Sequence, residues 1–516
     1  MAFKIGPFEG SLNWPTIVTA FLTLLLIQKT TANYLQSKKY KLPPRIPGLP
    51  IFGNTFQLPP MDQGLWGIEQ AKKYGEMYTC KFGVNTWVFL NSSRVVNDLM
   101  EKRSAIYSSR QNMPMASGIM SGGCRILLMP YSDRWRAIRK VMHTILNKQN
   151  TATFAPFQDL ESKHLLYDYL HNPEQWYNAN QRFANSVIMG VVFGKRFELG
   201  HPHTRELLET STEILTALQP GASLVDALPV FEKLPTCLQW WRPRGQRAQE
   251  RCKSVYKREV ADLEARVEAG TARECFALQF MKSPDAHKFG ETQFLFALGS
   301  LMEAGSDTSR MTISQVIAAA ALDKRWVVTA RKALDAVCGS NAERLPDFAD
   351  RENLPYLSAV TKEAFRWRPM AQIGFPTMLT QDDEYEGYKF PAGTIFTWNA
   401  TAIALDEREY EEPMRFWPER FMNEDVGSVM KGHWSFGPGR RACSGYHVGD
   451  SNVWIAIARL LYCFDFEPIE GQPIDSLRVS WLEHRHAPFP VSIKVRSPQH
   501  AALVEREGEI AVNTKY

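Results

Sequence analysis

The sequence predicts a mainly α-helical protein of the α+β class, with one large domain, a small β-rich region and an N-terminal membrane-anchor helix. Helical patterns cover most of the chain, and the longest runs from about Glu291 to Leu322. Short β-like segments occur at three places, residues 77–82, 86–90 and 388–397. No second linker and no internal repeat follows Gly53. We therefore interpret residues 1–42 as anchor and linker, and residues 43–516 as one domain.

The anchor prediction depends on residues 12–27, which carry no charge and would span about 25 Å as a helix. A cleaved signal peptide is the alternative, with small residues at 30–32 as its cleavage site. Lys4 alone precedes the segment, whereas five basic residues follow it, namely Lys29, Lys38, Lys39, Lys41 and Arg45. This asymmetry and the proline-rich segment 43–50 favour a single-pass anchor in the endoplasmic reticulum membrane, with the domain facing the cytosol.

Composition excludes several functional classes. The mean hydropathy of −0.29 argues against a polytopic membrane protein. The 60 Lys and Arg residues exceed the 55 Asp and Glu residues by only five, and no basic run is interleaved with aromatic residues. We therefore expect no nucleic-acid partner. The eight cysteines form no CxxC pair, which is typical of reduced thiols in a cytosol-facing protein.

The stretch Phe436–Gly445 is the most informative part of the chain. Its glycines and proline predict a tight turn, and Cys443 follows that turn beside Arg440 and Arg441. Neighbouring guanidinium groups favour the thiolate, which is the form of cysteine that binds metals. The alternative is a glycine-rich surface loop with an incidental cysteine.

Two further patterns place paired side chains on one face of a helix. Glu363 and Arg366 form an ExxR pair, although Glu412 and Arg415 match the same pattern. Trp135 and Arg139 lie four positions apart in sequence, as a shared contact requires.

Another pattern lies within the long helix. Asp307 and Thr308 are unfavourable residue types for a helix interior. They predict either a proton relay or a solvated acid beside a threonine bonded to its own turn. Gly299 and Gly305, in the same helix, predict close approach to a flat group.

These motifs resemble those of the cytochrome P450 family, the haem-thiolate monooxygenases. The family signature F-x-x-G-x-R-x-C-x-G is met at five positions, Phe436, Gly439, Arg441, Cys443 and Gly445. The stretch 304–308 resembles the oxygen-activation motif A-G-x-D/E-T, and 418–421 resembles the PERF segment. The motifs occur in the family's order along nearly the whole chain. The resemblance implies a mainly helical fold that holds haem b between the long helix and the cysteine loop.

The resemblance also implies roles for single residues. Cys443 would be the axial ligand of haem iron, Phe436 would shield its sulfur, and Gly439 belongs to the same signature. Haem propionates would contact three residues, Arg441, Trp135 and Arg139. Asp307 and Thr308 would deliver protons, and an architectural triad would consist of Glu363, Arg366 and Arg420. One departure is Thr377, which stands where many relatives have a basic residue after proline.

The implied activity is insertion of one oxygen atom from O2 into a lipophilic small molecule. The electrons would come from NADPH through NADPH–cytochrome P450 reductase, which basic residues would attract, namely Arg134, Arg136, Lys140, Lys431, Arg440 and Arg441. The expected pocket is poor in charge and is lined by 108–126, 210–240, the helix before Ala304, 373–375 and 481–482. The pattern is most like fungal members that act in secondary metabolism. Two alternatives remain, a haem-thiolate isomerase or dehydratase that needs no reductase, and a non-catalytic haem protein.

Overall fold

The computed structural model describes residues 39–198, 201–219, 221–475, 477 and 486–515. The predicted anchor and the pocket segment 481–482 lie outside these residues. Among the helices within the described ranges, none is both long and apolar enough to cross a membrane.

Helices dominate the described chain, as the hydrophobic patterns predict. The α-helices are α1 (Gln63–Tyr74), α2 (Ser93–Val96), α3 (Asp133–Ile145), α4 (Thr151–His171), α5 (Trp176–Phe193), α6 (Pro202–Ala217), α7 (Leu224–Ala227), α8 (Arg242–Glu268), α9 (Phe276–Lys282), α10 (Glu291–Leu322), α11 (Lys324–Cys338), α12 (Pro355–Trp367), α13 (Ala400–Ala404), α14 (Tyr446–Cys463) and α15 (Pro498–Asn513). Short 3₁₀ and π turns connect them, including Pro114–Ile119, Pro418–Phe421 and Gly439–Arg441.

The strands of the described residues form three small sheets. The strands are β1 (Met77–Phe82), β2 (Asn85–Leu90), β3 (Thr377–Met378), β4 (Asp383–Tyr385), β5 (Tyr388–Phe390), β6 (Ile395–Trp398), β7 (Phe464–Glu467) and β8 (Ser492–Val495). The largest sheet has the order β1-β2-β6-β3, in which β2 and β6 are parallel. It therefore joins the front of the chain to the segment that follows α12.

Helix α10 is the centre of the fold. It packs on α5, α8, α14 and α12, and nearly all of its second half is buried. A Cβ at Gly299 would lie 2.2 Å from the ring of Tyr256, and one at Gly305 would lie 2.5 Å from Ile188. The flat group that Gly299 approaches is therefore a protein ring, whereas Gly305 approaches an aliphatic side chain, and both glycines are required by packing against neighbouring helices.

Candidate functional site

The cysteine loop is held by its own backbone. The N–H of Gly437 donates to the carbonyl of Trp434 at 2.9 Å, and the N–H of Cys443 donates to the carbonyl of Phe436 at 2.7 Å. Gly439 has φ of 62°, and a Cβ there would lie 2.3 Å from the carbonyl oxygen of Met100. Any larger residue would push the loop away from its support, so this position requires glycine.

Cys443 combines an accessible surface with a buried setting. The Cys443 side chain is exposed by its solvent-accessible area, yet burial is the main cause that raises the pKa of its thiol. Both observations hold if the thiol lies deep in the fold and borders an internal space. Ala304 on α10 is also exposed, although Met302 and Ser306 beside it are buried. A central helix and a cysteine loop that each present an open position are what a flat group bound between them requires.

The groups that favour the thiolate of Cys443 differ from those expected. The backbone N–H of Gly445 and the guanidinium of Arg139 lower its pKa against the effect of burial. Arg440 instead donates to the hydroxyl of Tyr131, and Arg441 donates to the carbonyls of Ser108 and Met129. The prediction that the two adjacent arginines favour the thiolate is wrong, because both side chains turn away from the sulfur.

Three buried guanidinium groups border the loop without an acidic partner. Arg441 and Arg139 come from the predicted motifs, and Arg110 comes from the segment before α3. Burial lowers the pKa of Arg110 to about 9, and that of Arg441 to about 8 with help from the charges of Arg110 and Arg139. Within the part of the chain that the structure describes, no Asp or Glu forms an ion pair with any of the three. Since guanidinium stays protonated, this arrangement calls for bound anions.

Donors without partners mark where those anions would bind. Arg139 Nε and Arg441 Nη1 are buried and lack a hydrogen-bond partner among the described residues. Trp135 is buried beside them, and its ring centroid lies 4.0 Å from the Arg441 guanidinium carbon. Haem b carries two propionates and binds iron through an axial ligand. The open thiol and the unpaired guanidinium groups therefore fit this cofactor.

Arg110 is the residue that sequence reasoning missed. Its guanidinium donates to the carbonyls of Leu127, Phe375 and Pro376, with Nε–O of 2.9 Å to Leu127. It thus places a cation beside Thr377, where the expected basic residue is absent. The hydroxyl of Thr377 is buried without a partner in the described chain. The sequence showed only an arginine at the end of Tyr107–Arg110, and no pattern indicated where its side chain would point.

Glu363, Arg366 and Arg420 meet in the protein interior. Arg366 grips Glu363 with two hydrogen bonds of 2.8 and 2.6 Å, and Arg420 Nε lies 3.3 Å from the same carboxylate. The backbone N–H of Trp417 donates to it as well, at 2.7 Å. By contrast, the second ExxR match, Glu412–Arg415, is an exposed ion pair. Context rather than spacing distinguishes the two copies.

The triad is connected to the cysteine loop through α12. The hydroxyl of Ser435 donates to the carbonyl of Phe365 at 2.5 Å, and the rings of Phe365 and Phe436 lie 4.9 Å apart, edge to face. His433 is buried against both rings, and burial lowers its pKa to about 3. The triad therefore fixes the helix on which the loop rests.

Asp307 and Thr308 combine features of both predicted alternatives. The hydroxyl of Thr308 donates to the carbonyl of Ala304 at 3.0 Å, which is a bond within its own turn. Asp307 is buried rather than solvated, and its carboxylate lies 3.0 Å from Arg310 Nη2. Ser300, Ala304 and Thr308, spaced four residues apart, form the partly open face of α10.

The outer basic surface is smaller than the sequence predicts. Arg134, Lys140 and Arg440 are exposed, whereas Lys431 is paired with Asp425 at 2.8 Å. Arg136 is paired with Asp133. The prediction that Arg441 belongs to this surface is wrong, because it points inward.

Comparison with known proteins identifies the family. The sequence profile described as Cytochrome P450 matches residues 43–485. Cytochrome P450 monooxygenase verL of Clonostachys rogersoniana is 32% identical over 90% of this chain and 89% of its own. Cytochrome P450 monooxygenase polD of Polytolypa hystricis is 32% identical over 96% and 97%, and fogE of Aspergillus ruber is 31% identical over 95% and 94%.

The profile match spans most of the chain, and these three relatives are fungal enzymes. Haem is the cofactor of this family. The helical fold with small sheets, the open cysteine and the buried arginines that would bind anions all fit it. The protein belongs to the cytochrome P450 monooxygenase family.

Proposed function

We propose that this chain is a haem-thiolate monooxygenase of fungal secondary metabolism that inserts one oxygen atom from O2 into a lipophilic small molecule. The observation that carries the proposal is the open thiol of Cys443 beside three buried guanidinium groups that have no carboxylate partner among the described residues. When bound, haem supplies the reductive activation of dioxygen.

The chain's own residues would hold and shield the cofactor. Cys443 is the proposed axial ligand, and the ring of Phe436 limits solvent access to its sulfur. Arg139, Arg441 and Arg110 would hold the propionates, with Trp135 as the wall of that site. The triad of Glu363, Arg366 and Arg420 has an architectural role, since the buried Arg366 joins the Glu363 carboxylate to the carbonyls of Ala404 and Pro413.

Asp307 and Thr308 are the proposed proton-delivery residues. Thr308 lies on the partly open face of α10, and rotation about its Cα–Cβ bond would turn the hydroxyl from Ala304 toward that space. Asp307 would exchange protons behind it, from a position held by Arg310. If Asp307 and Thr308 did not deliver protons, an isomerase or dehydratase would be the better interpretation. NADPH-dependent turnover separates the two alternatives.

The proposed electron donor is NADPH–cytochrome P450 reductase, which would approach the surface of Arg134, Lys140 and Arg440. Reversing the first two charges, R134E/K140E, is expected to slow the first electron transfer and weaken its dependence on salt. The control is Arg205→Glu, on an exposed arginine of α6. Equal rates and equal salt dependence in both variants would contradict this docking surface.

A membrane contact is proposed for one apolar face. Large exposed side chains come together there from three segments, namely Leu49, Ile51, Phe52, Phe56, Met61, Val84, Leu224 and Val230. The N–H of Gly83 donates to the carbonyl of Phe52, and that of Val84 to the carbonyl of Ala227, which brings the segments together. We propose that this face lies on the endoplasmic reticulum membrane beside residues 1–42, with the haem domain, 43–516, in the cytosol.

Binding to lipid vesicles tests this orientation. The double variant I51D/F56D is expected to reduce flotation with vesicles when residues 1–42 are deleted. The matched control is Val328→Asp, an equally exposed apolar position on α11. Equal flotation of both variants would contradict the proposed face.

The reduced carbon monoxide difference spectrum tests the proposed function as a whole. A thiolate-ligated haem gives the red-shifted band that names the family. A pigment with that spectrum but no NADPH-dependent product with any substrate would favour the non-catalytic alternative.

A further inference from the structure

A buried ion pair lies beside the open face of α10 and outside the machinery described above. Arg125 precedes α3, and its guanidinium contacts the carboxylate of Glu303, the residue before Ala304. Their side chains are only 2% and 10% exposed. Both residues belong to segments expected to line the pocket, and each neutralises the charge of the other.

Neighbouring groups complete the pair. The hydroxyl of Tyr256 on α8 donates to the second oxygen of Glu303 at 2.5 Å. Arg125 Nε donates to the hydroxyl of Ser121 at 3.2 Å, and its guanidinium lies 5.3 Å from the ring centroid of Phe296. Three elements thus meet at one carboxylate, and both of its oxygens have partners.

The ion pair fixes one end of residues 111–125, a segment that contains no long helix or strand. This segment follows Arg110, one of the three buried arginines at the cysteine loop, and ends at Arg125. Within this segment Gln293 of α10 donates to the carbonyl of Cys124 at 2.7 Å, and Asp226 of α7 accepts from the N–H groups of Met115 and Ala116. Removing the charge pair would leave the segment held by these bonds, by side-chain contacts with Arg134 and Glu232, and by the apolar packing of Met115 and Met120.

A buried ion pair adds little net stability to a protein interior, since apolar side chains of similar volume often stabilise it equally well. What an ion pair adds is a fixed geometry between its two elements. We propose that Arg125 and Glu303, completed by Tyr256, are positioning residues that fix segment 111–125 against α10 and so set the shape and closure of the substrate space beside Ala304. The proposal rests on the monooxygenase function given above.

Hydrogen exchange of the ligand-free, haem-containing protein is the first test. Glu303→Gln keeps the shape of the side chain and removes its charge, so peptides within 111–125 should exchange about tenfold faster while the rest of the protein is unchanged. Arg125→Met should have the same effect, and the double variant R125M/E303L should be no worse than either single variant. Arg125→Lys keeps a cation and should stay within about threefold of the native rate.

Ligand kinetics provide the second test, with 4-phenylimidazole as the probe of the substrate space. It should dissociate about tenfold faster from Glu303→Gln, because a loosened wall acts mainly on the dissociation rate. The matched control is Arg251→Met, which breaks an exposed pair with Glu209 between α8 and α6 and should change neither readout.

Two results would overturn the proposal. One is native exchange of 111–125 in Glu303→Gln, and the other is a uniform rise across all peptides, which indicates general destabilisation. If Arg125→Met does not fold, Glu303→Gln decides. The reduced carbon monoxide spectrum should be the same in all variants, so a failed haem assignment would be visible separately.

Discussion

Replacing Arg110 by methionine should weaken haem retention specifically. Burial lowers the pKa of this guanidinium to about 9, well below its usual value. At about 1.4 kcal/mol per pKa unit, the cost of keeping the charge buried is about 5 kcal/mol. A bound propionate would offset that cost. Loss of one charge-assisted contact is worth about 1.5–3 kcal/mol, which corresponds to about 10- to 100-fold faster haem loss.

The assay is transfer of haem to an excess of apomyoglobin, followed by absorbance. The apoprotein should unfold with a free energy within about 2 kcal/mol of native, because losing bonds to the carbonyls of Leu127 and Phe375 opposes the relief of a buried charge. The control is Arg440→Met, an exposed neighbour that should retain haem normally. Native haem retention in Arg110→Met would refute the assignment of the three arginines to the propionates.

Three further predictions concern the surrounding residues. In urea unfolding, Glu363→Gln should destabilise the protein by about 3–5 kcal/mol, because it leaves two buried guanidinium groups without their carboxylate. The same change at exposed Glu412 should lower the free energy of unfolding by less than about 1 kcal/mol. Thr308→Ala should retain substrate binding but release more hydrogen peroxide per NADPH, and unchanged coupling would count against proton delivery by this residue. Burial, and then Lys362, lower the pKa of His433 from 6.5 to about 3, so the unfolded chain binds a proton that the folded protein excludes. Stability should therefore fall as pH drops from about 6.5 toward 3, by at most about 1.4 kcal/mol per unit, and His433→Gln should flatten this slope.

Local patterns predicted much of the fold because their physical causes are local. The apolar pattern of α10 gave its bounds, Glu291–Leu322, and Arg368-Pro369 marked the end of α12 at Trp367. The glycine-rich turn before Cys443 was likewise visible, since its conformation requires φ values that favour glycine.

Partners far apart in the chain could not be predicted in this way. Gly299 accommodates Tyr256, which is 43 positions away in sequence, and not a flat ligand. The direction of Arg441 depends on the carbonyls of Ser108 and Met129. Spacing along a helix gives the face on which a side chain lies, but the neighbour across that face comes from the tertiary fold.

The bond between Cys443 and haem iron is the central claim, and the reduced carbon monoxide difference spectrum of native protein and Cys443→His tests it most directly. The native protein should show the band of thiolate-ligated haem, and the variant should bind haem with the shorter-wavelength band of a nitrogen ligand. Identical spectra from the two proteins would show that another residue binds the iron.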